Sequence, residues 1–171
     1  THRNYDRIDN VSVFLIASPI IKKWHPQLTI GLQKQWMDIE HNSRMLSMDR
    51  PLFIGRFNNG IQFPYGWTLH VDLFFQGKGD FQNIYINKNV FMMDASLTKS
   101  FFDDRLSFNL QGIDLTHGRK DGNVIYNKHM DLTVNNVTDS REVRLTVRYK
   151  FNTTKNKYKG KGAAEEEIRR L

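Results

Sequence analysis

The chain has 171 residues, 39% of them hydrophobic, no cysteine and a formal charge of +7. That length supports one domain, and the missing thiols exclude a disulfide framework and any thiolate metal site. Without a run of about eighteen apolar residues no transmembrane helix can form, but strands of about nine to eleven residues can span lipid and leave no such run. The apolar share is low for an ordinary core and normal for a barrel whose second face meets water.

The opening THRNYDRIDN has neither an initiator Met nor the basic-then-apolar layout of a secretion signal. We therefore expect either a processed chain or the later part of a longer protein. Val11 to Ala17 reads as a first, nearly continuous apolar strand, followed by a turn around Ser18, Pro19, Lys22 and Lys23. From Gln27 to Met37, Leu28, Ile30, Leu32 and Trp36 alternate with Gln27, Thr29, Gln33 and Gln35. Lys34 is the exception on the apolar side, and near a strand end it can snorkel.

His41 to Arg50 reads as a polar loop, after which Phe53, Phe57, Ile61 and Phe63 oppose Arg56, Asn58 and Gln62. The turn Pro64-Tyr65-Gly66 stops that strand. Trp67, Leu69, Val71, Leu73 and Phe75 then alternate with Thr68, His70, Asp72 and Gln76, with Phe74 the misfit. Trp67 and Phe75 should lie about 26 Å apart along the strand, or about 20 Å in depth at a tilt near ~40°, which puts an aromatic at each edge of an apolar band.

Gln76 to Asn89 is the next loop, and Phe91, Met93, Ala95 and Leu97 then face away from Asp94, Ser96 and Thr98. A turn from Lys99 to Asp104 leads into Leu106, Phe108 and Leu110, opposed by Ser107, Asn109 and Gln111. Thr116 to Lys128 reads as loop, with turns at Gly118 and Gly122. The segment from His129 to Thr138 fits either an extension of the last strand or half of a small hairpin. Val143 to Phe151 alternates without error, with Val143, Leu145, Val147, Tyr149 and Phe151 against Arg144, Thr146, Arg148 and Lys150. A one-residue slip would turn its basic side chains into lipid, at about 2 to 4 kcal/mol for each at the midplane.

The connections run short, long, short, long, short, long, the asymmetry of outer-membrane barrels with tight periplasmic turns and long outer loops. The expected fold class is all-β, an antiparallel up-and-down transmembrane β-barrel. Seven strands are counted, or eight if the 129–138 segment adds one and closes a small barrel. The division is 1–151 as barrel strands and 152–171 as a periplasmic tail. In the tail six basic residues against three glutamates contribute +3; Lys155, Lys157, Lys159 and Lys161 suit a solvated or packed surface, and Ala163 to Leu171 a short helix.

Residues 96–115, SLTKSFFDDRLSFNLQGIDL, and 141–152, REVRLTVRYKFN, resemble the C-terminal end of outer-membrane β-barrel proteins related to TonB-dependent receptors. The resemblance rests on the Ser-x-Ser-like turn before Phe101, the strand ending in Asp114, and the Arg, Leu, Val, Tyr and Phe positions of the last strand. The tail KYKGKGAAEEEIRRL looks like the extension that one branch of the family carries. Leu115 departs from the pattern, standing where an aromatic often follows the Asp. The resemblance implies a barrel of about twenty-two strands closed by an N-terminal plug, located in the outer membrane and taking up a solute with energy from the TonB system. It also implies the barrel-assembly machinery, the rest of the barrel, the plug, the TonB complex and a surface lipoprotein as partners. Neither plug nor TonB-interacting segment occurs in these residues.

Tyr149 and Phe151 are read as an assembly signal and, with Trp67, Trp36 and Phe75, as interfacial girdle in contact with outer-membrane lipid. Arg56, His70, Asp72, Asp94, Arg144, Arg148 and Lys150 are expected on the lumen side, where such groups either line a path or keep a wet wall wet. His41, His117 and His129 sit in three outer loops without compact ligand spacing, so no metal or other cofactor is expected. No nucleophile, base and orienting group can be assembled, so no enzymatic activity is expected. Cations and aromatics occupy opposite faces, which argues against nucleic acid. The rival reading is a soluble antiparallel barrel or sandwich binding a small apolar ligand, because alternation alone does not say which side the bulky face meets.

Overall fold

A computed structural model describes residues 7–151; the tail from 152 to 171, with its expected periplasmic position and helix, lies outside the described residues. The strands in chain order are β1 (Asp9–Ala17), β2 (Trp24–Trp36), β3 (Asp38–His41), β4 (Arg44–Ser47), β5 (Leu52–Phe63), β6 (Trp67–Gln76), β7 (Gly79–Phe81), β8 (Ile84–Ile86), β9 (Val90–Phe101), β10 (Leu106–Ile113), β11 (Lys120–Tyr126), β12 (Asp131–Val137) and β13 (Glu142–Tyr149). Seven of them form one antiparallel sheet in the order β1-β2-β5-β6-β9-β10-β13. Each strand pairs with the next of the sheet in chain order, the up-and-down topology expected from the hairpin rhythm. Among the described residues the sheet does not close on itself, so β1 and β13 each present an unpaired outer edge.

The register carries the two-faced pattern across every strand. Leu15 lies opposite Ile30, Leu28 opposite Phe57, and Phe57 opposite Leu73, which faces Met93. Leu97 stands opposite Leu110, and Leu110 opposite Leu145. Because side chains alternate strictly along a strand, this alignment of apolar residues forces the polar set onto the other face. The result is one continuous apolar surface backed by one polar surface.

All three short connections lie at one end of the sheet, and β13 ends there too, with Tyr149 opposite Leu106. The turn between β9 and β10 is tighter than the sequence suggests. β9 runs on to Phe101, and Phe102, Asp103 and Asp104 all take left-handed backbone angles. At this same end β13 stops at Tyr149 rather than Phe151, since β10 begins at Leu106 and its ladder ends there. Lys150 still donates its backbone N–H to the Arg105 carbonyl at 2.8 Å.

The long connections are not plain loops. Residues 41–50 contain β4, which pairs with β3 as a hairpin. β7, β8, β11 and β12 build a four-stranded sheet in the order β12-β11-β8-β7. The 129–138 segment is thus half of the β11–β12 hairpin and adds no strand to the wall. The tightest apolar cluster of the described residues, Met37, Ile39 and Met48, lies among these outer elements, packed by Leu46, Tyr85 and Tyr126. In the wall itself, Leu145, Val147 and Leu32 are at least half exposed.

Candidate functional site: a two-faced wall and its outer loops

On the apolar face, aromatic side chains gather in two rows. Trp24, Phe63, Trp67, Phe101 and Tyr149 lie at the short-turn end, and Trp36, Phe53, Phe75 and Phe91 at the long-loop end. Phe53 and Phe75 pack with ring centroids 5.8 Å apart, and Tyr149 meets Phe151 edge-on at 4.6 Å. Between the rows the surface is mainly aliphatic, with the Phe57 ring set between Leu28 and Leu73. Amphipathic rings at both margins of an apolar band are what a membrane interface selects.

Three of the polar side chains on this face show how such exceptions are accommodated. Lys34, at the long-loop end, holds its ammonium 5.2 Å from the Trp36 ring centroid. Lys99, at the opposite end, lies 5.1 Å from the rings of both Trp67 and Phe101 and donates to the Tyr65 carbonyl. Both lysines keep their charge at a margin over aromatic faces, as snorkelling and cation–π attraction favour. Asn59, within the band, accepts the indole N–H of Trp24.

The expected lumen residues divide into two groups on the polar face. Arg56, Asp72 and Asp94 come together with Arg119 around a recess of about 80 Å³. Asp72 stands directly opposite Asp94, and the Arg56 guanidinium lies 5.6 Å from the Phe74 ring. Phe74, the misfit of its strand, therefore serves as a platform for the neighbouring cation. His70 sits beside Asp72 over Gly60, sharing a second recess with His25 and Gln27. Arg144 and Arg148 lie apart from this group, opposite Gln111 and Ser107 on the far side of β10. Arg144 forms a two-bond pair with Glu142, at 2.9 and 3.0 Å. Lys150 lies just past the end of β13 at the short-turn margin.

Other polar groups of consequence are invisible to alternation, because they tie loops to the wall. Gln35 is 1% exposed and bonds both the N–H and the carbonyl of Gln82, each at 2.7 Å. Asp94 accepts the N–H of Asp114 at 2.7 Å, and buried Asp114 in turn accepts from Gly118 at 2.7 Å, from Arg119 and from the Ser140 hydroxyl. Burial opposes the charge of Asp114, but the Ser140 hydroxyl, the Gly118 and Arg119 amides and nearby His117 outweigh it and hold the carboxyl below its ordinary range. Asp80 behaves in the opposite way. Burial pushes its carboxyl up, against the Arg50 N–H it accepts at 2.9 Å and the Arg50 guanidinium. Among the described residues its second oxygen has no hydrogen-bond partner.

His41 lies in the connection from β2 to β5, whereas His117 and His129 share the connection from β10 to β13 rather than occupying two loops, and among the described residues no group of three acidic or imidazole side chains could hold a metal ion. His41 instead bridges two outer hairpins, from β3 to the Asn127 carbonyl at 2.7 Å and the Asp131 carboxylate at 3.1 Å. No helix of the described residues is long and apolar enough to cross a membrane, which says nothing of strands.

Comparison with curated proteins and with solved structures gives no match. The comparison with family models does. The model described as the outer membrane protein beta-barrel family matches residues 1–149.

Proposed function

Because this chain belongs to the outer membrane protein beta-barrel family, we propose that its seven strands form part of the wall of an outer-membrane transporter of the TonB-dependent-receptor kind, which takes up a solute. The observation that carries this reading is the open, two-faced sheet. Its apolar surface, rimmed by aromatics, suits lipid, and its polar surface suits a wet lumen, while both outer edges remain unpaired. Unpaired backbone in hydrocarbon costs several kcal/mol for each group, so β1 and β13 call for further strands, as in a barrel of about twenty-two.

In this reading the short turns and the C-terminus face the periplasm, and the folded long connections face outward. Arg56, His70, Asp72, Asp94, Arg144, Arg148 and Lys150 line the lumen or meet a plug. Tyr149 and Phe151 serve the barrel-assembly machinery, while TonB and a surface lipoprotein complete the apparatus. The reading includes no catalytic step, cofactor or nucleic-acid partner. Membership of an outer-membrane family removes the main support for the rival soluble binding protein.

The test is solute depletion from the medium by cells carrying or lacking the gene, each with TonB intact or deleted. Uptake that needs both gene and TonB is expected. A solute profile unchanged by the gene, or uptake indifferent to TonB, overturns the reading.

A further inference from the structure

We infer that the outer mouth of the lumen holds a subsite for a small amphipathic anion, with an apolar body and a carboxylate or similar oxyanion. The inference rests on the transporter reading, since it takes the polar face as the lumen side. A cavity of about 410 Å³ opens between the inner face of β6 and β9 and the outer four-stranded sheet. That volume falls within the range of about 300 to 1,000 Å³ common for small-molecule sites.

Its two sides differ in chemistry. Val90 and Met92 from the wall, with Phe81, Ile84 and Ile86 from the outer sheet, supply the apolar lining. Arg119, Lys120 and Asp121 supply the charged lining. Asp121 is already engaged, accepting from the Asn136 side-chain amide at 2.9 Å. Among the described residues no carboxylate pairs with the side chain of Arg119 or Lys120. The cavity therefore carries two uncommitted cations against one occupied anion, beside aliphatic surface.

Arg119 is held where it is. Its backbone N–H is bonded to Asp114, which is anchored in turn on the wall through Asp94. The same residue reaches the recess of Arg56, Asp72 and Asp94, where two guanidinium groups face two carboxylates. Among the described residues the Arg119 side chain forms no ion pair in that recess either, so its guanidinium and the Lys120 ammonium both remain open to an anion in the larger cavity. A neutral apolar solute would leave both cations without an acceptor, and a small hydrophilic anion would leave the aliphatic lining unused. A ligand with both parts satisfies the whole cavity, because bonds between ionised partners are the stronger kind.

The experiment uses the whole natural polypeptide in lipid nanodiscs, with ¹³C-methyl labels on Met and Ile, and two probes of matched shape, 2-naphthoate and neutral 2-naphthamide. The expected result is saturable movement of the Met92 and Ile86 methyl signals by naphthoate, with naphthamide at least about tenfold weaker, a difference of one charge-assisted contact. R119Q/K120Q should bring naphthoate down to the level of the amide, and V90W should block both probes. Equal affinity for the two probes, indifference to R119Q/K120Q, or no movement at Met92 overturns the inference. If V90W fails to fold, R119Q/K120Q with the probe pair still decides. Absent binding with TonB-dependent uptake intact removes the subsite alone, and binding without such uptake removes the transporter reading alone.

Discussion

The side-chain amide of Gln35, at the long-loop end of β2, is bonded twice to the backbone of Gln82, each bond 2.7 Å long. Gln35 also donates to the Met48 carbonyl at 3.2 Å, so one side chain joins the wall, the first outer hairpin and the second. Gln35→Ala should leave these backbone groups without their partner and cost the outer elements about 1 to 3 kcal/mol for each group that stays buried and unpaired. Hydrogen exchange would show this as faster exchange across residues 79–86 with the wall strands unchanged; uniform exchange along the chain would contradict it.

Asp114 makes the third outer connection sensitive to acid. Its carboxyl is held below the ordinary range, so its share of stability is fully present above the ordinary carboxylate pKa and is lost as pH falls through the lowered value. Limited proteolysis of residues 114–141 should therefore accelerate on acidification. Asp114→Ala should abolish that dependence and expose the connection at all pH values, at about 1.5 to 3 kcal/mol for each bond lost to the charge.

Gly118 is required for a close approach. A Cβ there would fall 1.5 Å from the Phe91 carbonyl oxygen, closer than any contact permits. Gly118→Ala should displace the start of the third outer connection from β9 and destabilise it by about 3 kcal/mol or more, the upper range for overpacking. Matched cleavage rates for Gly118→Ala and the parent protein within residues 114–141 would show that the approach is not needed.

Neighbouring residues of β13 should respond oppositely to the same substitution. Leu145 lies on the apolar face opposite Leu110, and Thr146 on the polar face opposite Asn109. Leu145→Arg should cost about 2 to 4 kcal/mol in reversible urea unfolding from liposomes, the depth-dependent penalty of a cation in lipid. Thr146→Arg should change stability by about 0.5 kcal/mol or less. Equal effects at the two positions would mean that neither face meets hydrocarbon.

The wall was legible because its signal is periodic. Within the wall strands the alternating position of most residues predicts their face, and misfits are accommodated, with Lys34 over Trp36 and Phe74 beneath Arg56, although Phe14 and Ile16 put apolar side chains on the polar side of β1. The joining of Arg56, Asp72 and Asp94 followed from face and register together. The outer elements escaped the same reasoning. Met37, Ile39 and Met48 are too scattered among polar neighbours to announce a cluster, and strands as short as β7 and β8 hold too few residues to establish a period. The bonding of Gln35, Asp80 and Asp114 has no local signature, since their partners lie 13 to 47 positions away, apart from Gly118 and Arg119.

By itself the sequence determined which side of each ribbon is apolar and at which end its short turns lie, and it narrowed the wall to seven or eight strands, because side-chain alternation and turn chemistry are local properties of the chain. Only the tertiary structure decided that the second and third long connections fold into one sheet, that Arg119 shares a recess with Asp94, and that a cavity opens between that sheet and the wall. Those are distances between segments remote in sequence, and they depend on how the outer sheet packs against the wall rather than on any residue's neighbours along the chain.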